Sequence, residues 1–339
     1  MTRLWLDGLQ RVARAPLLCL GVYALTLVTT LPMAFVLHDT ITTHLGESLV
    51  ADAVSQGFDA GWWQEFQYAT DGGIVETFGP EVIGFAATLS NLSRAADADL
   101  PQGAIASVIV FYVAVWAFLL GGILDRLARQ RQVTSAGFFA ACGVYFWRFT
   151  RLALLVVATY WVLFTIVHPW FFQDVYGALT HNSTVERDAA IVHFSLYFLF
   201  GILVAAVTLI FDYAKVRTVV EDRRSMLGAV FASARFVRRR LVSTAYLYLL
   251  SALVFVIVVF LYSLAAPSAN TSGVAVWLGF AIGQIYVTAR LVAKLTLYAS
   301  QISFFQSELA HSTYVARPQP HWPISPMVEA IAPTTPDKS

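Results

Sequence analysis

The chain has 339 residues, 58% of them apolar and 13% charged, against about 25% charged in an ordinary soluble domain. Depletion on that scale, together with long apolar runs, excludes a soluble globular protein and places the chain in a bilayer. The net charge of +1 says little, because the charge is sorted by position, and the two cysteines, Cys19 and Cys142, give no sign of a disulfide framework or a metal cluster.

Residues 2–14 predict a short amphipathic helix, with Arg3, Asp7, Gln10, Arg11 and Arg14 on one polar face and Trp5, Leu9 and Val12 elsewhere on the wheel. Such a helix lies on a membrane surface with its basic side toward the headgroups. A first span follows over 16–37. It is longer than a signal-peptide core and no Ala-x-Ala site follows it, so a retained anchor is expected.

Residues 38–103 carry ten acidic residues and one basic residue, Arg94. Helical patterns over 40–56 and 80–97 flank an aromatic turn, Gly61 to Phe66, whose Trp62, Trp63 and Phe66 suit a water–hydrocarbon boundary. This stretch predicts a small helical extracytoplasmic cap folded back onto the membrane. Five more apolar runs follow, at 104–124, 151–173, 190–211, 241–265 and 274–296. Each is near the ~20 residues that cross ~30 Å of hydrocarbon. The short alternating segments of a barrel are absent. His168-Pro169-Trp170 is expected to end a helix at the outer interface.

Segments 1–15, 125–151, 212–240 and 290–339 hold 20 of the 22 Lys and Arg residues, which predicts cytoplasmic termini. Asn91, Asn182 and Asn270 open glycosylation-like triplets that would face outward; they are read as chance matches. Residues 311–339 hold six prolines without periodicity and predict a disordered cytoplasmic tail. The domain expectation is one membrane domain over 1–310, followed by that tail.

Asp125 and Asp212 are 87 residues apart, as are Arg148 and Arg235, and Arg151 and Arg238. The implied unit is a span ending in the aspartate, a connector, a capped helix starting near Ser135 or Asp222, an Arg-Phe-x-Arg end, and another span. In the second copy Leu227, Val230, Phe231, Ala234 and Val237 form the expected apolar face. In the first, Phe138, Phe139, Cys142, Tyr145, Phe146 and Phe149 do so. The N-terminal helix, ending in Arg11-Val-Ala-Arg14, extends the scheme to three pseudo-repeats. The fold class is therefore all-α: a polytopic membrane protein with six transmembrane helices in two or three pseudo-repeats, each an interfacial amphipathic helix plus a helical hairpin.

Arg11, Arg14, Arg148, Arg151, Arg235, Arg238, Arg239 and Arg240 are expected to anchor helix ends at anionic headgroups, each worth about 1 kcal/mol. Two pairings are open for the aspartates. One is local, Asp125 with Arg129 and Asp212 with Lys215. The other is a clasp to the arginines of the following helix. Glu221-Asp222-Arg223-Arg224 reads as a solvated helix start. Arg290 and Lys294 lie in the last span near its cytoplasmic end, where both can snorkel. Gln284, Tyr286 and Thr288 form the best polar stripe inside a span, suited to helix–helix hydrogen bonding. No catalytic constellation, cofactor motif or metal-ligand spacing occurs among the outer histidines His38, His44, His168, His181 and His193.

The six spans, the basic helix feeding the first of them, and the stretch from Phe211 to Arg240 (FDYAKVRTVVEDRRS…ARFVRR) resemble a group of uncharacterised bacterial six-span proteins. These are akin to the membrane domain ahead of some glycerophosphodiester phosphodiesterases. The resemblance implies the fold and a bacterial inner-membrane location, and it carries over no activity. The functional expectation is a non-enzymatic membrane component engaging anionic lipid or a membrane-protein partner, with no nucleic acid and no cofactor. The alternatives are a transporter or lipid-handling protein with a passage between pseudo-repeats, and a membrane enzyme using outer histidines and acids.

Overall fold

The structure, a computed structural model, describes residues 1–46, 48–57, 59–70, 93, 104–130, 134–181, 185–266 and 273–311. The expected helix over 80–97, apart from Ser93, lies outside the described residues, as do Asn91, Asn182, Asn270 and the tail beyond His311.

Within the described residues the chain is all-α, with no strand. The elements are α1 (Thr2–Ala13), α2 (Pro16–Gly46), α3 (Ala51–Gln56), α4 (Ala60–Ala69), α5 (Ala104–Arg129), α6 (Ser135–Thr180), α7 (Glu186–Val220), α8 (Met226–Arg239), α9 (Leu241–Ala265) and α10 (Val274–His311). Six of them, α2, α5, α6, α7, α9 and α10, are long and apolar enough to cross a membrane. Helix is the form these runs must take, because in hydrocarbon every backbone N–H and C=O has to pair within its own segment. The protein is a multi-pass membrane protein.

Several helices overrun their expected ends. α6 spans 46 residues, roughly 69 Å at 1.5 Å per residue, against ~30 Å of hydrocarbon. Hydropathy marks only the lipid-facing stretch, and polar residues continue each helix into protein. His168-Pro169-Trp170 does not end a helix. The chain passes through it in π-helical turns, Leu163–Val167 and Trp170–Val175. Proline removes an N–H and crowds the carbonyl one turn back; wide turns on either side take up that misfit. The aromatic stretch after Gly61 is not a turn either. It is α4, capped by Asp59, whose Oδ1 accepts from the Trp62 backbone N–H at 2.9 Å. Trp62 stacks on Phe66 at 5.1 Å, and both bury against Leu37, Ile41 and Leu45 of α2.

The core is concentrated at the end of the bundle that carries α1 and α8. Leu119 to Leu127 of α5, Leu209 to Val219 of α7 and Leu291 to Phe305 of α10 supply its buried residues, joined by Val12 and Val237. α1 lies across α10 closely enough that a Cβ on Gly8 would meet Ser300 Oγ at 2.2 Å, a distance that reserves the position for glycine. The face that α8 buries differs from the expected one. Met226, Ala229, Ser233 and Val237 point inward, while Leu227 and Phe231 are exposed. The helix has an inner face of small residues for α7 and an outer apolar face directed away from the core.

Candidate functional site

The charged groups at this end separate into those used within the protein and those left free. Arg11 is turned inward: Nε pairs with Asp7 at 2.8 Å, and Nη1 donates to Gln306 Oε1 at 3.0 Å. Its side chain is 10% exposed, so it ties α1 to α10 instead of standing at a headgroup. Arg148 is also partly buried; it lies over the Tyr145 ring and pairs with Asp222. Arg14, Arg151, Arg235, Arg238, Arg239 and Arg240 are exposed. Of these, Arg151 donates to the Trp147 carbonyl at 3.1 Å and Arg240 pairs with Glu308 at 2.8 Å.

The two repeated aspartates are buried, and each is paired locally: Asp125 with Arg129 at 2.7 Å, and Asp212 with Lys215 at 2.7 Å. The arginine of the proposed clasp in the first copy, Arg148, goes to Asp222 instead. The acidic–basic cluster is not a helix start, since α8 begins after Ser225, whose Oγ accepts from the Gly228 backbone N–H at 3.3 Å. Glu221 closes α7 and accepts from Arg217 at 2.8 Å and from Arg223. Asp222 turns through the left-handed region at φ 49°, and Gln130 does the same after α5 at φ 51°.

Burial alone would raise the Glu221 carboxyl. Hydrogen bonds and charge from Arg217 and Arg223 outweigh it and hold the group below its usual range. A depressed folded-state pKa gives stability that is present above the unfolded value, about 4.3, and is lost as pH falls through the folded one. Glu221→Gln is therefore expected to flatten the acid-side loss of thermal stability below about pH 4.3 relative to wild type, with thermal midpoints across a pH series as the measurement.

The polar stripe on α10 is used in packing. Tyr23 Oη of α2 donates to Gln284 Oε1 at 2.7 Å, Tyr286 stacks on Tyr262 of α9 at 4.1 Å, and the Thr288 hydroxyl donates back to the Gln284 carbonyl at 2.8 Å. None of the three lines a cavity described here.

Next to this stripe is a cavity of about 580 Å³ between α2, α5, α9 and α10, within the ~300–1,000 Å³ of small-ligand sites. Thr26 and Thr30 of α2, Tyr112 of α5, Tyr248, Ser251 and Phe255 of α9, and Arg290, Leu291, Lys294 and Leu297 of α10 line it. Arg290 and Lys294 are one helical turn apart and face the same space. Ser300, where α1 crosses α10, marks the level of the basic end. Lys294 is then roughly 9 Å and Arg290 roughly 15 Å into the bundle, at 1.5 Å per residue. Thr26 and Ser251 are ten residues into their helices, roughly 15 Å from the helix starts.

Among the described residues neither cation makes a salt bridge or hydrogen bond. Lys294 Nζ sits 3.7 Å from the centroid of the Trp116 ring, and the Arg290 guanidinium lies against Tyr286 at 5.4 Å and Phe255 at 5.5 Å. Ring contacts of this kind contribute about 0.5–2 kcal/mol each, whereas removing an ion from water costs several kcal/mol. For half-buried Lys294 the aromatic wall alone does not compensate the charge, whereas Arg290 is exposed. Lys215, the other cation in the bundle interior, is already neutralised by Asp212. The Ser251 hydroxyl is buried and unpartnered. Two cations without a salt bridge among the described residues, an unpartnered hydroxyl and apolar walls meet at this place.

The sequence predicts that Arg290 and Lys294 can snorkel from the last span, and Arg290 is exposed and Lys294 half-buried. α10 runs fifteen residues past that span's expected end at 296, to His311, with Leu295, Ala299 and Ile302 buried in protein. The readable signal was their one-turn spacing with no acid on the same face. Ser251, Tyr248, Thr26 and Tyr112 come from three other helices, and no local pattern marks them. Among the described residues no group of three His, Cys, Asp or Glu side chains could hold a metal ion, and His44 accepts from Trp62 Nε1 at 3.2 Å. Compared with protein-family models, curated proteins and solved structures, the chain finds no match.

Proposed function

We propose that the protein is a non-enzymatic component of the bacterial inner membrane that binds an anionic amphiphile inside its helix bundle. The headgroup is held by Arg290 and Lys294, and the tail lies along Phe255, Leu291 and Leu297. The observation that carries this reading is a pair of cations facing one cavity at mid-bundle depth with no carboxylate partner among the described residues. Ionisable side chains inside a membrane are rare and are retained where they serve a ligand or a pathway. The concentration of Lys and Arg at the end with α1 and α8 supports cytoplasmic termini. Exposed Arg14, Arg235, Arg238 and Arg239 remain placed for anionic headgroups at that surface.

A second reading, movement of the same amphiphile across the membrane, is favoured by one observation. The cavity lies where helices of the proposed first unit, α2 and α5, meet those of the third, α9 and α10. Transporter sites recur at such repeat interfaces. The duplication is supported by the local acid–base pair made by each repeated aspartate.

The test is purification of the full chain from native membranes in mild detergent, with lipid identification. Anionic lipid is expected to copurify with wild type and to fall at least about tenfold in Arg290→Gln/Lys294→Gln, a difference of about 1.4 kcal/mol or more. Equal lipid in both would refute the reading.

A further inference from the structure

Resting on the anionic-amphiphile reading above, we infer that the cavity selects a phosphomonoester headgroup, a dianion with three terminal oxygens, over singly charged phosphodiester or carboxylate headgroups.

The charge balance leads to this class. Inside the bundle Asp212 and Lys215 neutralise each other at 2.7 Å, and Asp125 is matched by Arg129 at 2.7 Å. Arg290 and Lys294 are left over, so the site carries an excess of two positive charges. Arg290 is exposed and Lys294 half-buried; a phosphodiester or carboxylate cancels one of the two charges and leaves the other without a counter-charge. A phosphomonoester cancels both, since its second ionisation lies near pH 6.

Donor geometry agrees with charge. Positions four apart on a helix hold their Cβ atoms about 6 Å apart, so one compact headgroup can touch both cations. A terminal phosphate offers three acceptor oxygens. The cavity has two donor groups, the Arg290 guanidinium and the Lys294 ammonium of α10, and Ser251 of α9, whose hydroxyl is buried and unpartnered, belongs to its wall. The same dianion chemistry is offered by a lipid headgroup and by free phosphate. The apolar walls of the cavity, Phe255, Val287, Leu291 and Leu297, favour a ligand with an apolar chain.

The full chain in detergent micelles is titrated at pH 7 with phosphatidic acid, phosphatidylglycerol, oleate and inorganic phosphate, with intrinsic tryptophan fluorescence and native mass spectrometry as readouts. Phosphatidic acid is expected to bind at least about tenfold more tightly than phosphatidylglycerol or oleate. Lys294→Gln should bring that preference close to unity, and Lys294→Arg should keep it. Unchanged thermal midpoints without lipid establish that both variants fold. If phosphatidylglycerol or oleate binds as tightly as phosphatidic acid, or if Lys294→Gln keeps the preference, the inference is overturned and the amphiphile reading stands. If inorganic phosphate binds as tightly as phosphatidic acid, the dianion site is supported and the amphiphile reading fails. If none of the four binds, both fail.

Discussion

Replacing Asp212 by asparagine is expected to destabilise the detergent-solubilised protein by about 3 kcal/mol, near the low end of what stranding one member of a buried ion pair costs. The Asp212 side chain is 8% exposed and that of Lys215 is 24% exposed, so the residual access of Lys215 to solvent keeps the loss from being larger. Lys215→Met strands the carboxylate and should cost a similar amount. The double change Asp212→Leu/Lys215→Met removes both charges and is expected to return to within about 1 kcal/mol of wild type, because a packed apolar pair often equals a buried ion pair. Unfolding midpoints of the two single variants and the double variant close the cycle; simple additivity would show that the two groups do not depend on each other. Exchanging the signs of Asp212 and Arg235 should give no rescue, since Arg235 is exposed and Asp212 already has its partner.

Gly121→Val should cost about 3 kcal/mol, the upper range for overpacking. Gly121 and Gly122 let α5 and α6 approach almost backbone to backbone. A Cβ on Gly121 would lie 2.7 Å from the Tyr145 Cβ and 3.3 Å from the Ala141 carbonyl oxygen, atoms that cannot move without the helix. At Gly122 the obstructing atoms are Cys142 Sγ at 2.6 Å and the Phe138 ring at 2.8 Å, side-chain atoms farther from the backbone, so Gly122→Ala should be milder. Gly143 has nothing within 4 Å of its virtual Cβ. Gly143→Ala is the control, and should be neutral or stabilise by up to about 1 kcal/mol through helix propensity. Thermal unfolding of the three variants in one detergent ranks them.

The membrane class and the number of spans are legible in the sequence, because twenty apolar residues in a row have few other uses. Helix ends are less legible. α7 carries Asp212 and Lys215 inside a helix that hydropathy closes at 211, and α10 carries Arg290 and Lys294 well before its true end at His311. In each case the polar residues are enclosed by neighbouring helices, and enclosure by distant chain segments leaves no local trace. The buried face of α8 shows the same limit. Leu227 and Phe231 are its most apolar residues by pattern, but the inner position goes to Ala229 and Ser233, which are small enough to fit against α7. The cavity is the extreme case: its walls come from four helices spread between Thr26 and Leu297.

By the helix rise Lys294 and Arg290 stand roughly 9 Å and 15 Å inside the basic end, so both would lie within the voltage drop of an energised membrane. One elementary charge crossing the whole drop exchanges about 2.3 kcal/mol per 100 mV, so a dianion reaching Arg290 through half of it exchanges about as much. Occupancy would then change by roughly forty-fold for each 100 mV, and the polarity of that response would reveal from which aqueous face the ligand arrives.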